Sequence, residues 1–145
     1  MFRHILIPTD GSELAQKAVH YGVALAKDQK AKITAVTVHR PFHIATLDPE
    51  MLEDTHKEYD RRVAEHAAKY LAVVSKAAAV AGVPCDIVSF EHQHAYQAIV
   101  DCANDRHCDL IVMASHGRSG VSAVLMGSQT VKVLTHSTVP VLVYR

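Results

Sequence analysis

The stretch DLIVMASHGRSGVSAVLMGS, residues 109–128, joins a short apolar run to a segment of glycine, serine and one arginine. The run DLIVMA has the length and branched side chains of a buried strand, and the small residues after it indicate a turn into a helix. Glycines ahead of a helix N-terminus expose backbone N–H groups that favour an anion. Such a turn is also common where no ligand binds, so the stretch predicts either a phosphate-binding loop or a structural turn.

Four further apolar runs of strand length occur in the chain, and segments of helical period separate them. The five strands are predicted at His4–Pro8, Lys32–Val38, Cys85–Phe90, Asp109–Ala114 and Val139–Arg145. Strict alternation of strand and helix predicts right-handed crossovers and a parallel sheet covered on both faces. The predicted fold class is therefore doubly wound α/β.

Each helical segment carries an apolar stripe that is expected to face the sheet. The first helix is predicted to begin after the N-cap residue Ser12. Its stripe is predicted at Leu14, Ala18, Gly22 and Leu25. The stripe of the last helix is predicted at Val131 and Leu134.

Length and composition bound the classes of function. The 145 residues predict one domain over 1–145, and 15 basic residues balance 15 acidic ones. Because the net charge is zero, no overall field favours a nucleic acid or a membrane surface as partner. Three cysteines without a CxxC pair are typical of reduced thiols, so a cytoplasmic location is expected. Nowhere do about 18 apolar residues follow one another, as a membrane span requires.

The carboxyl ends of two predicted strands carry polar residues. The first strand ends in IPTDGS, which places Asp10 and Gly11 at its end, and the fourth ends in the opening stretch. In open α/β sheets, ligands bind at the carboxyl ends of strands where the strand order reverses. If these strands are neighbours, Asp10 faces the glycine loop (residues 115–127) across one crevice. Asp10 is equally suited to capping the helix that follows it.

The glycine loop also supplies a charge and hydroxyl donors. Arg118 offers a planar fork of N–H donors that matches a phosphate, and Ser119 and Ser128 add hydroxyl groups. His116 is suited either to donating to a phosphate or to packing in the turn. The loop is not a Walker motif, because no GK[ST] follows its glycines.

Other chemistry has weaker support in the sequence. His92 and His94 would point to one face if they lay on a strand, with Glu91 nearby, but no HExxH or CxxC pattern joins them, so no specific metal site is predicted. No GxSxG elbow or cysteine triad is present, so no nucleophilic enzyme is predicted. The segment His39–Glu50 is interpreted as a lid, a contact surface or a plain crossover loop.

The chain resembles the universal stress protein family from end to end. The resemblance is carried by HILIPTDGSELAQKAV, DLIVMASHGRSGVSAVLMGS and VKVLTHSTVPVLVYR. It implies a five-stranded sheet of order 3-2-1-4-5, with the first and fourth strands adjacent. Nucleotide-binding members carry Gly, two residues, Gly, nine residues, then Gly and Ser or Thr. In this chain the pattern falls on Ala114, Gly117, Gly127 and Ser128, so alanine replaces the first glycine.

The resemblance implies a binding site for ATP or a related adenine nucleotide (AMP or ADP), with Mg²⁺ as an ion the nucleotide can bring. It assigns Asp10 to the ribose and adenine side, Val38 to the adenine wall and the glycine pattern with Arg118 to the phosphates. The cofactor-binding set is Pro8, Thr9, Asp10, Val38, Met113, Ala114, His116, Gly117, Arg118, Ser119, Gln129, Thr130, Gly127 and Ser128.

The function implied is a stress-response protein that binds this nucleotide and works as a homodimer through its C-terminal strand, with hydrolysis slow if it occurs. That apolar strand lies at a sheet edge, which either pairs with another chain or is covered by its own helix. The alternative function is an interaction protein of the same family with a vestigial pocket. Ala114 is the feature that favours this alternative, and it matters only if its φ is positive or its methyl touches the ligand.

Overall fold

A computed structural model describes residues 1–42, 56–118 and 126–145 of the chain. Within these residues, strands and helices alternate as the sequence predicts. The strands are β1 (His4–Pro8), β2 (Lys32–His39), β3 (Cys85–Glu91), β4 (Leu110–Ala114) and β5 (Val141–Tyr144). The helices are α1 (Glu13–Gln29), α2 (His56–Ala81), α3 (Ala95–Asp105) and α4 (Ser128–His136).

The five strands form one parallel sheet of order β3-β2-β1-β4-β5. This confirms the predicted fold class and strand order. β1 lies in the centre, where Ile5 pairs with Ile33 of β2 on one side and with Leu110 of β4 on the other. The strand order reverses between β1 and β4, which makes their carboxyl ends the switch point of the sheet.

Two hydrophobic clusters cover the two faces of the sheet. On one face, Val19 of α1 and Leu71 of α2 pack with Ile5. On the other face, Ile99 of α3 and Val133 of α4 belong to the cluster that holds Leu6. Because neighbouring β1 residues point to opposite faces, both sides of the strand are apolar, as a doubly covered parallel strand requires.

The stripe predictions were right for the interior of α1 and wrong for α4. Ser12 is the N-cap of α1, with its Oγ accepting from the N–H of Ala15 at 3.2 Å, and Ala18 and Gly22 are buried. Leu14 and Leu25 are only partly buried. In α4 the buried residues are Thr130 and Val133, while Val131 is 46% and Leu134 42% exposed.

The α4 stripe is rotated because Thr130 has a polar partner inside the protein. Its hydroxyl donates to the backbone carbonyl of Ala114 at 3.0 Å. This bond turns Thr130 and Val133 towards the sheet and leaves Val131 on the outer surface. Counting apolar residues alone predicts the wrong buried face of α4. A threonine can be buried at little cost once its hydroxyl is hydrogen-bonded.

Two strands begin later than predicted, and side-chain hydrogen bonds explain why. Both carboxylate oxygens of Asp109 accept from the backbone N–H of Arg3, and one also accepts from the N–H of His4. The Asp109 side chain therefore binds the backbone at the start of β1, and β4 begins one residue later. Ser137 forms hydrogen bonds with both the backbone carbonyl and the N–H of Val139, which holds a turn ahead of β5. Residues 43–50 of the suggested lid lie outside the described residues.

Candidate functional site

A cavity of about 450 Å³ opens at the carboxyl ends of β1 and β4. It lies at the switch point, where the two strand ends diverge. We call it the switch-point pocket. Residues from three strands and three helices line it: Pro8, Thr9, Asp10, Ala15, Val36, Val38, Ala95, Ile99, Met113, Ala114, His116, Gly117, Arg118, Met126, Gly127, Ser128, Gln129 and Thr130.

The structure brings the sequence-predicted residues together around this one pocket, apart from Ser119, which lies outside the described residues. Sequence reasoning missed five lining residues, namely Ala15, Val36, Ala95, Ile99 and Met126. The alternation of side chains along β2 could have predicted Val36, because Val36 lies on the same face of the strand as Val38. Ala15, Ala95 and Ile99 carry no local signal, since their place at the pocket depends on helix packing.

One wall of the pocket is apolar. Val36 and Met113 are buried in the cluster that includes Ile99, and the half-buried Val38 packs against this cluster. These side chains come from β2, β4 and α3, which converge on this side of the switch point. A flat apolar group such as a purine base suits a wall of this kind.

Asp10 ties the end of β1 to the glycine loop. Its Oδ2 accepts from the backbone N–H of Arg118 at 2.8 Å, and its Oδ1 accepts from the N–H of Ser12 at 3.0 Å. Asp10 is therefore not the cap of α1, a role that Ser12 fills. Each carboxylate oxygen accepts a backbone N–H, so the carboxylate joins the start of α1 to the glycine loop.

Gly117 is required at its position by close approach. A Cβ built there would collide with Oδ2 of Asp10, the oxygen that binds the next residue of the loop. Any larger residue would push the carboxylate away from the Arg118 N–H. The second glycine of the pattern thus allows the contact between β1 and the glycine loop.

The N-terminus of α4 faces the pocket. Gly127 is its N-cap and provides no side-chain cap, so the first N–H groups of the helix have no acceptor within the helix. Gly127 itself is packed tightly, because a Cβ there would lie 3.2 Å from Cα of His116 and 3.3 Å from the Ser115 carbonyl oxygen. The next residues, Ser128, Gln129 and Thr130, line the pocket. This end of the pocket offers donors to an anion.

Ala114 has ordinary strand geometry. It is the last residue of β4 and pairs with Tyr144 of β5. Positive φ among the described non-glycine residues occurs at Lys30 and His107, so Ala114 does not adopt it. Its side chain packs in a small cluster with Ala15 and Ala18 of α1. The alanine is therefore compatible with the backbone at this position.

The polar side chains at the pocket mouth have partners that the sequence did not reveal. His116 lines the pocket, and its Nδ1 lies 3.3 Å from Oγ of Ser115. The guanidinium of Arg118 donates to the hydroxyl of Tyr70 at 2.8 Å. Tyr70 belongs to α2, and no motif in the sequence pointed to it.

His92 and His94 do not meet the condition under which their rings would point to one face. β3 ends at Glu91, so neither histidine lies on a strand, and His94 precedes the first residue of α3. Nδ1 of His92 instead accepts from the backbone N–H of His94 at 2.9 Å. Among the described residues, no group of three or more His, Cys, Asp or Glu side chains is placed to hold a metal ion.

The three thiols are unpaired, and burial makes them poor nucleophiles. Cys102 and Cys108 are buried and Cys85 is partly buried. Desolvation raises the pKa of Cys108 to about 12, and it raises the pKa of Cys102 and of Cys85 above the usual value. A thiol with a raised pKa is protonated at neutral pH, and the thiolate is the reactive form.

No helix in the described part of the chain is long and apolar enough to cross a membrane.

The fold and the pocket together define a doubly wound α/β protein with a cavity at its switch point. A model of the universal stress protein family matches residues 1–145. The universal stress protein YxiE of Bacillus subtilis is 32% identical over 152 residues, and the match covers 100% of each chain. The chain therefore belongs to the universal stress protein family.

Solved structures agree with this assignment. The structure of MJ0577, a universal stress protein of Methanocaldococcus jannaschii, has a TM-score of 0.82 at 26% identity and covers 99% of this chain and 96% of its own. A universal stress protein in complex with cAMP has a TM-score of 0.67 at 22% identity, covering 99% and 97%. One from Archaeoglobus fulgidus in complex with dAMP has a TM-score of 0.63 at 15% identity, covering 100% and 98%. The last two share the fold.

Proposed function

We propose that the protein binds ATP or a related adenine nucleotide in the switch-point pocket. One observation carries the proposal: an apolar wall and a set of anion donors meet in the same cavity. The wall includes Val38 and Ile99, and the donors lie at the N-terminus of α4. A nucleotide has one flat apolar end and one anionic end, so its two ends match the two sides of the pocket.

The phosphates are proposed to lie against the start of α4 and the glycine loop. The N–H groups of Ser128 and Gln129 have no acceptor within α4, and the dipole of the helix adds positive potential there. Arg118 adds a full positive charge at the rim. The base is then placed against Val36 and Val38. Mg²⁺, if the nucleotide brings it, needs few protein ligands.

Relatives of the same fold support this choice of ligand class. The cAMP and dAMP complexes show that the fold accommodates adenine mononucleotides in those proteins. For this chain, the choice of an adenine nucleotide rests on its own pocket. ATP, ADP and AMP each need an apolar wall for the base and donors for at least one phosphate, and the pocket offers both.

Slow turnover is proposed because the lining offers little to a hydrolytic reaction. The ionisable side chains among the described lining residues are Asp10, His116 and Arg118. Each oxygen of Asp10 already accepts a backbone N–H, which makes it a poor general base. The proposed role is therefore nucleotide binding that serves a stress response, with hydrolysis slow if it occurs.

We further propose that the protein is a cytoplasmic homodimer. In the sheet that the described residues form, β5 is an edge strand with β4 as its one neighbour, and its four residues are all half-buried. An edge of this kind is open to pairing with a second chain. Three unpaired cysteines are compatible with a reducing compartment.

Calorimetry tests the nucleotide proposal. Titration with ATP, ADP, AMP and adenosine, each with and without Mg²⁺, is expected to give saturable binding of at least one nucleotide. Val38→Asp is expected to weaken binding at least about tenfold, since it puts a charge in the wall for the base. Val80→Asp is the matched control, because Val80 is 91% exposed on α2. Absence of heat at about 1 mM nucleotide, where even weak specific binding is detectable, would contradict the proposal.

A further inference from the structure

Arg118 is held at two points on the mouth of the pocket. Its backbone N–H donates to Asp10, and its guanidinium Nη1 donates to the Tyr70 hydroxyl at 2.8 Å. The guanidinium carbon also lies 5.9 Å from the centroid of the Tyr70 ring. The side chain is exposed, yet these contacts fix both its base and its tip.

Tyr70 is itself held firmly. One side of its ring lies against the backbone of Gly11, where a Cβ would overlap the ring atoms. His66, one helical turn earlier on α2, stacks on Tyr70 with ring centroids 6.0 Å apart and an interplanar angle of 26°. Tyr70 is not among the pocket-lining residues, and within the described residues it is hydrogen-bonded to Arg118 of the glycine loop. The ring therefore serves as a fixed support for the guanidinium.

The Arg118 guanidinium has more donors than its hydrogen bond to Tyr70 requires. A guanidinium has five N–H donors, and one of them goes to the hydroxyl. Tyr70 carries no negative charge in its hydroxyl form, and the ion pairs found among the described residues do not include Arg118. Within residues 1–42, 56–118 and 126–145 the positive charge is thus positioned without an ion pair, and a guanidinium has further N–H donors to offer an anion.

We propose that Tyr70 is a positioning residue that holds the Arg118 guanidinium ready for the phosphates, so that the pocket favours nucleotides over the uncharged nucleoside. This inference rests on the proposed function and adds a selectivity device to it. Without the hydroxyl, Arg118 samples many rotamers, and the ligand has to order the side chain when it binds. The nucleoside makes no use of Arg118, so the loss affects phosphorylated ligands alone.

The test is a double-mutant cycle measured by calorimetry with two ligands, ATP and adenosine. Tyr70→Phe keeps the ring against Gly11 and removes the hydroxyl alone. It is expected to weaken ATP binding about 3- to 10-fold, the range for one side chain losing its preorganisation, and to leave adenosine binding unchanged. Arg118→Ala is expected to weaken ATP binding further, and adding Tyr70→Phe to it should change nothing more. Tyr21→Phe is the control, because Tyr21 packs on Tyr144, away from the pocket lining.

The outcomes separate this inference from the function on which it rests. Wild-type protein that binds no nucleotide overturns both. Wild-type protein that binds ATP, together with a Tyr70→Phe variant of equal or higher ATP affinity, overturns the role of Tyr70 alone. Equal losses for ATP and adenosine, or an undiminished effect of Tyr70→Phe in the Arg118→Ala background, would mean that the tyrosine only supports the fold.

Discussion

Ala114 is the residue at which this chain departs from the glycine pattern of nucleotide-binding relatives. Its φ lies outside the positive range, and its methyl packs with Ala15 and Ala18. Alanine has no conformational disadvantage against glycine at such a position. The alanine therefore gives no support to a vestigial pocket through its backbone conformation. It would weaken binding only through contact between its methyl group and the ligand.

Restoring the glycine tests this reading of Ala114. Ala114→Gly is expected to lower the free energy of unfolding by about 1–2 kcal/mol, because it loses a buried methyl and frees the unfolded backbone. ATP affinity is expected to stay within about twofold, since the backbone keeps its conformation. Urea denaturation and calorimetry measure the two effects. A large gain in affinity would show that the methyl obstructs the ligand.

At the scale of elements, the position of α4 determines the end of the pocket that is proposed to bind the phosphates. The backbone N–H of Gly127 donates to the Ser115 carbonyl at 2.7 Å, and Thr130 bonds the Ala114 carbonyl. These two bonds dock the first turn of α4 onto the end of β4. Space is short at this junction, because a Cβ added to Gly127 would lie only 3.2 Å from Cα of His116.

Gly127→Ala is expected to displace the first turn of α4 by a few tenths of an ångström. The added methyl presses on backbone atoms, which cannot rotate away as a flexible side chain does. We expect ATP affinity to fall about 3- to 10-fold and the free energy of unfolding to fall by about 1 kcal/mol or more. Calorimetry and urea denaturation provide the two numbers.

Gly82→Ala is the matched control for this substitution. Gly82 has φ +73 and no atom within 4 Å of a Cβ, so alanine there costs about 1–2 kcal/mol of backbone strain and touches nothing. Its ATP affinity is expected to equal that of the wild type. Equal ATP affinities for the two variants would mean that the start of α4 is not part of the binding site.

At the scale of the whole molecule, the sheet formed by the described strands ends in β3 on one side and in β5 on the other. On β5, the carbonyls of Pro140 and Tyr144 accept from Ile111 and Ser115. The intervening odd-numbered residues, including Val143, therefore direct their N–H groups to the open edge. The same alternation on β3 directs the N–H of Ile87 outwards, since the Pro84 carbonyl accepts from Ile33 and the His92 N–H donates to His39.

A proline at each edge distinguishes the two surfaces. Val143→Pro is expected to convert a dimer to a monomer, because it removes an outward N–H while leaving the bonds to β4 in place. Ile87→Pro makes the same change at the opposite edge and is expected to leave the dimer intact. Analytical ultracentrifugation measures the mass of each. A wild-type monomer, or dissociation by Ile87→Pro alone, would contradict pairing through β5.

The sequence by itself determined the order of the elements, the parallel sheet, the cap at Ser12 and most of the pocket lining. These features follow from local periodicity and from the rule that ligands bind where parallel strands end. The predicted pocket lining omitted Val36, although the alternation of side chains along β2 places it on the same face as Val38. The glycine spacing directed attention to Gly117 and Gly127, which both line the pocket, because they lie close in sequence to the end of β4 and the start of α4.

Only the tertiary structure decided which face of α4 is buried, that Ala114 keeps an ordinary strand φ, and that Arg118 rests on Tyr70. Arg118 and Tyr70 are 48 positions apart, and Arg118 and Asp10 are 108 apart. No local sequence pattern predicts these contacts, because they depend on how α2 and β1 pack around the same end of the sheet. A side chain's partner is fixed by packing of the whole chain, whereas its element is fixed largely by its neighbours in sequence.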